Sequence, residues 1–320
     1  MTSLIRRFDG FLFGELPPQR LALLRILIGS FVLFYVGSRY QMLTAVAQSD
    51  PQTFAPVGLA AVLAAPLEPL VFQGLLVVTL AANAAFVLGL LHRVTGPLFG
   101  ILLLFLLCYR NSWSMIYHSD NVMVMHVLIL GLAPSAAVFS VDAWRNKTSL
   151  IAQPGWQFGW PVRLMCAVTA LTYFLAGVAK VAGESGWAWA QGESLRSQIA
   201  VDALRKDLLG SGAPELVYVL HDQLLLFTLI GAGSLILELG APFALVRTRA
   251  SQIWAAGAFL MHWGIYFIMD ILFRYQLAGL IFLPFFPVER LIPFGSAAAR
   301  RLRAALGRRV HRGTPAEGHP

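Results

Sequence analysis

Apolar runs of membrane-spanning length recur along this chain between short polar connections. They predict about eight helices, near 20–39, 69–90, 95–109, 121–139, 161–182, 216–246, 251–268 and 273–288. Roughly 20 apolar residues cross the hydrocarbon core of a bilayer, so each run reads as a span. The third is short, and the sixth is long enough to begin with an interfacial turn around His221 and Asp222. The last two are separated by Asp270 and Arg274, which leaves open a broken or re-entrant pair lining a cavity and a count of about seven to nine. The expected fold is an all-α polytopic membrane bundle. Residues 1–19 are expected to form a cytoplasmic interfacial segment, 20–290 one transmembrane domain and 291–320 a basic cytoplasmic tail.

Composition fixes the class. Hydrophobic residues make up 58% of the chain and charged residues 12%, whereas a soluble domain carries about 25% charged residues. The net charge of +8 would suggest nucleic acid in a soluble protein. Here most basic residues flank apolar runs, so orientation in the membrane accounts for them and no nucleic acid is expected. Arg6, Arg7, Arg20, Arg93, Arg145, Arg163 and Arg247 fall on alternate connections, with the tail Arg300 to Arg312, on the side of both termini. That side is expected to be cytoplasmic, and the connection 183–215 to lie outside. Arg25, early in the first helix, is expected to snorkel toward the inner face. No secretory signal precedes the first run, which is expected to stay as an anchor. Cys108 and Cys166 stand singly in apolar runs and predict neither a disulfide framework nor a thiol redox motif.

Lys180 is the most informative residue. It closes the apolar stretch Leu171 to Gly183 and is followed by Trp187, Trp189 and Gly192. A lysine at mid-helix costs roughly 2.5–3.5 kcal/mol on insertion scales, so a charge kept there needs a reason. Snorkelling into headgroups, with the tryptophans as a belt, is one. Helical spacing also places Thr169, Tyr173 and Ala176 on its face, a polar stripe that either packs helices or lines a site. Tyr117, His118, Ser119, Asp120 and Asn121 form a second polar group on the same outer side, readable as a helix cap or as chemistry. His126 and His262 lie inside apolar runs, and Glu238 is a buried acid whose carboxylate must be neutral or paired. No spacing of metal ligands or phosphate-binding glycines occurs, so no metal is expected.

Taken in order, these elements resemble the transmembrane part of vitamin K-dependent gamma-carboxylase, that is, the HTTM (horizontally transferred transmembrane) family. The resemblance runs from about Leu21 to Pro287 and is sharpest from Thr172 to Leu195. The stretch Tyr173 to Lys180 matches a Tyr-Phe-Ile-Ala-Gly-Val-Lys-Lys run in which Lys180 takes the place of the catalytic base, while Ala179 stands where the family carries another lysine. His118 with Ser119 is similar to an Asn-His-Ser segment whose histidine is a catalytic partner, although Tyr117 replaces the asparagine. Phe139 to Asp142 is similar to Trp-Ser-Val-Asp, Glu238 falls on an intramembrane aspartate and His262 on a helix histidine. Trp189 and Gly192 follow Lys180 as in the family.

The resemblance implies catalytic roles for Lys180 and His118, supported by Tyr173, Glu238, His262 and Trp189. It implies a carboxylase-like lyase mechanism in which a neutral lysine deprotonates a quinol, and an exported peptide or protein as substrate. Glu238, if ionised beside Lys180, would oppose a neutral amine, because a nearby anion favours the ammonium. Short bacterial relatives resemble membrane proteins that mature exported toxins or signals, which points to a bacterial plasma membrane. Enzyme and non-enzyme readings remain open at this point. An enzyme needs Lys180 and His118 on one cavity, a maturation or immunity scaffold would hold Lys180 in a salt bridge, and a transporter would need a central pathway.

Overall fold

The computed structural model describes residues 13–113, 115–147, 153–246 and 248–292. The readings of Arg6, Arg7, Arg247 and the tail from Arg300 to Arg312, with most of the interfacial segment 1–19, lie outside them. Among the described residues no strand forms, and one isolated bridge joins Leu16 to Gly155.

Four helices are long and apolar enough to cross a membrane: α1 (Pro18–Gly37), α3 (Pro69–Leu88), α4 (His92–Asn111) and α7 (Trp156–Ala182). Four, not about eight, is therefore the number of such spans among the described residues. The fourth predicted run is helical only as α5 (Asn121–Leu132), beyond which the chain turns. The sixth breaks into α9 (Glu215–Leu220), α10 (Leu224–Leu239) and a 3-10 turn over Ala241–Leu245. The seventh is α11 (Thr248–Met269), and the eighth reduces to α12 (Arg274–Leu277) and a 3-10 stretch, Leu280–Phe285. Pro284 within that stretch and the positive φ of Gly279 before it oppose a continuous helix. Ile281, Phe282 and Phe285 are buried in the core, so this backbone faces protein, where irregular structure is tolerated.

The core joins α1, α3, α4, α5 and α7 around Leu24, Ile28, Phe72, Phe86, Phe99 and Met165. The connection 40–68 folds onto the end of α4 through α2 (Tyr40–Val46) and short 3-10 turns. Ala55 N donates to Ser112 O (2.7 Å) and Leu67 N to the Tyr109 hydroxyl (3.1 Å). The connection 183–215 holds a 3-10 turn, Gly186–Gln191, and α8 (Glu193–Leu208).

Arg25 does not snorkel. It is fully buried, and its guanidinium donates to Phe86 O at the end of α3 (3.2 Å) and to Phe139 O (2.6 Å). The Phe139 to Asp142 stretch is a clamp on the same spot. Phe139 adopts a positive φ, Ser140 Oγ accepts from Ala143 N (2.9 Å), and the Asp142 carboxylate accepts from Leu91 N (2.9 Å) and His92 N (2.8 Å). Asp142 thus satisfies amides at the start of α4, which the helix cannot satisfy itself. Asp142→Ala is expected to cost about 0.5–2 kcal/mol, the value of a lost cap. Asp142→Asn, which keeps one acceptor, should lose less, as thermal unfolding in detergent will measure.

Candidate functional site

Lys180 lies in the last turn of α7 and Glu238 in the last turn of α10. The two helices cross closely because Gly177, one turn before Lys180, presents no side chain. A Cβ there would lie 2.9 Å from Glu238 Cβ and 3.0 Å from Leu239 N. The crossing lets Lys180 Nζ donate to Glu238 Oε1 in an ion pair, with the glutamate side chain 7% and the lysine 25% exposed. Oε2 of Glu238 is buried without a hydrogen-bond partner. The turn after α7, entered through Gly186 at positive φ, brings the Trp189 ring to 5.6 Å from Nζ. On its exposed side Lys180 lines a cavity of about 390 Å³ with Gly183, Ser185, Trp189 and Gln198.

Tyr173 and His262 meet deeper in the bundle. The Tyr173 hydroxyl lies 3.3 Å from His262 Nδ1, which also faces Ala258 O at 2.9 Å. A carbonyl only accepts, so Nδ1 carries the proton and Nε2 is the basic nitrogen. Trp254 and Phe282 close around Tyr173. Phe273 packs edge-on against His262 (5.3 Å between ring centroids) and lies 6.4 Å from the His118 ring.

His118 itself is exposed and lines a different, larger cavity of about 660 Å³. The structure therefore sets Lys180 and Trp189 at one cavity, with Glu238 buried behind Lys180, pairs Tyr173 with His262, and sets His118 at another cavity. α8 borders both cavities, through Gln198 on one and Arg205 and Lys206 on the other.

The remaining polar residues read from the sequence are structural. His126 is fully buried, with Nε2 facing Met165 O (3.2 Å) and Thr169 Oγ1 (3.1 Å), so that nitrogen carries the proton. Nδ1 accepts from the Tyr275 hydroxyl (2.8 Å), and the ring ties α5 to α7 and α12. Thr169 is spent there rather than on Lys180. Asp120 does not cap α5. Its carboxylate binds Arg110 (2.9 Å) and the Tyr35 hydroxyl (2.8 Å), a buried network that spacing alone does not reveal. Arg110, a charge in the last turn of the apolar helix α4, is the signal in the sequence that points to it. Both cysteines are free. Among the described residues no three His, Cys, Asp or Glu converge as metal ligands.

Helices of spanning length and apolar composition, enclosing buried ion pairs and histidines, define a multi-pass helical membrane protein. The profile of the HTTM domain matches residues 13–287, most of the chain, and the protein belongs to that family. No curated protein and no solved structure matches it.

Proposed function

We propose that this HTTM-family protein is a membrane enzyme in which Lys180 and Glu238 relay a proton from the hydroxyl of a quinol-type ligand, in order to modify an exported peptide or protein. Glu238 carries the reading. One of its oxygens holds Lys180, the other is buried without a partner, and Nζ faces a cavity. The space beside Lys180 is an open groove of about 390 Å³. The Trp189 indole offers a face for a flat ring, and Lys180 a donor to its hydroxyl. A bound quinol would supply reducing electrons and an acidic hydroxyl.

An ion-paired lysine is a poor base alone, but the pair works as a unit. Lys180 passes a proton to Glu238 while its nitrogen takes the hydroxyl proton. The carboxylate is neutralised, Lys180 remains an ammonium, and that ammonium stabilises the negative charge now on its other side. His118 lines the larger cavity and takes no part in this relay.

A second reading, a non-enzymatic maturation scaffold, draws on the same salt bridge, which links α7 to α10. Extraction of the purified protein and mass spectrometry of its bound lipids, with oxygen uptake on added reduced naphthoquinone, separates the two. Retained quinone and hydroquinone-dependent uptake support the relay. Neither, with an unchanged phenotype for Lys180→Ala, supports the scaffold.

The proposed orientation has both termini inside a bacterial plasma membrane and the 183–215 connection outside. A cysteine at Ser185 should react with an impermeant maleimide in intact cells. Labelling only after permeabilisation would reverse the orientation.

A further inference from the structure

The larger cavity carries an unbalanced charge. Arg39, Arg110, Arg205, Lys206 and Arg274 line it, against the carboxylates of Asp120 and Asp270. Three of the five cations are committed. Arg110 binds Asp120 at 2.9 Å, and Arg205 and Lys206 share Asp202 at 2.7 and 2.8 Å. Lys206 also donates to the Met269 carbonyl. Arg39 and Arg274 have no carboxylate within ion-pair distance among the described residues.

Arg39 is held in place all the same. It donates to Tyr35 O (2.9 Å), and its guanidinium carbon sits 3.9 Å from the Tyr35 ring centroid. Burial lowers its pKa from the ordinary arginine value; Tyr35 and the Asp120 carboxylate oppose that shift, while the charges of Arg274 and Arg110 add to it. Two guanidiniums from different elements, close enough to repel and with no carboxylate bound to either, leave room for an added anion. The surrounding wall is apolar and open. Met42, Met115, Ile116 and Leu272 are 44%, 61%, 56% and 46% exposed.

We propose that this cavity binds the phosphate group of an anionic lipid, with Arg39 and Arg274 on the phosphate oxygens and the methionine and leucine rim against the acyl chain. Arginine's planar fork matches phosphate oxygens, and two forks from separate elements suit a tetrahedral anion better than a planar one. The apolar rim distinguishes a lipid from a free ion. The inference is independent of the Lys180 relay, and its test reads binding rather than turnover.

Native mass spectrometry of the protein in neutral detergent is the measurement, with short-chain phosphatidylglycerol, phosphatidylcholine, inorganic phosphate or a poly-glutamate peptide added in turn. Phosphatidylglycerol should bind in preference to phosphatidylcholine, whose choline offsets the phosphate charge, and more weakly as salt rises. Arg274→Gln and the double variant Arg39→Gln/Arg274→Gln should weaken it by about ten-fold or more, the order expected for lost charged hydrogen bonds. Arg274 is exposed, so the single variant keeps the test readable if the double variant misfolds, which circular dichroism will show. If inorganic phosphate displaces the lipid at equal concentration, phosphate recognition stands and the free ion is its source. Unchanged phosphatidylglycerol binding by Arg274→Gln and by any folded double variant, or binding of poly-glutamate without phosphatidylglycerol, overturns the proposal.

Discussion

Glu238→Gln should lower hydroquinone-dependent turnover by about 10²–10⁴-fold, the usual worth of a positioned acid–base group, while leaving the protein folded. The amide oxygen still accepts from Lys180, so the α7–α10 crossing persists, but it cannot take up a proton at neutral pH. Lys180→Arg should fail to a similar extent for a complementary reason. The guanidinium keeps the charge and the salt bridge but does not give up a proton. A salt bridge that serves only to join helices would show the opposite pattern, with arginine tolerated and glutamine harmful to stability. Oxygen uptake and melting temperature measured on the same preparations distinguish the two. Full turnover in either variant, with the fold intact, would remove the relay.

The parts of this fold legible in the sequence are those where burial is decided by composition over a long window. The runs near 20–39, 69–90, 95–109 and 161–182 became α1, α3, α4 and α7, with α7 starting earlier, at Trp156, and running through Pro161. The later runs misled because apolar length does not distinguish lipid from protein as the neighbour. The 273–288 run is apolar because Phe282 and Phe285 pack on Tyr173 and Trp254, and its prolines, visible from the start, argued against a span. At the site, spacing placed Thr169, Tyr173 and Ala176 on the face of Lys180, but the partners of these residues come from distant elements. Glu238 meets Lys180 across a helix crossing set by one glycine, and Asp120 meets Arg110 and Tyr35 through the fold of the 115–120 turn. Such long-range pairings leave no periodic trace in one sequence.

Arg25→Ala should lower the stability of the bundle by about 3–5 kcal/mol, a loss typical of truncating a large buried side chain and leaving its partners unpaired. At about 2–4 °C per kcal/mol for chains of about 150–250 residues, the apparent melting temperature should fall on the order of 10 °C. Arg25 is fully buried in α1 and links two carbonyls from separate parts of the chain, Phe86 O closing α3 and Phe139 O beside the Asp142 cap. Phe86 O keeps the bond it accepts from Gly89 N (3.0 Å), so the lost hydrogen bonding falls mainly on Phe139 O. Opposing this is relief from burying the charge, a cost of several kcal/mol for an ion taken from water. Arg25→Met separates the contributions, because methionine keeps much of the volume, removes the charge and restores neither hydrogen bond. A smaller loss for methionine than for alanine assigns the remainder to packing. If methionine matches the wild type in thermal unfolding, the two carbonyl bonds contribute no net stability, and Arg25 serves only to fix where α1 meets the turn at Gly89.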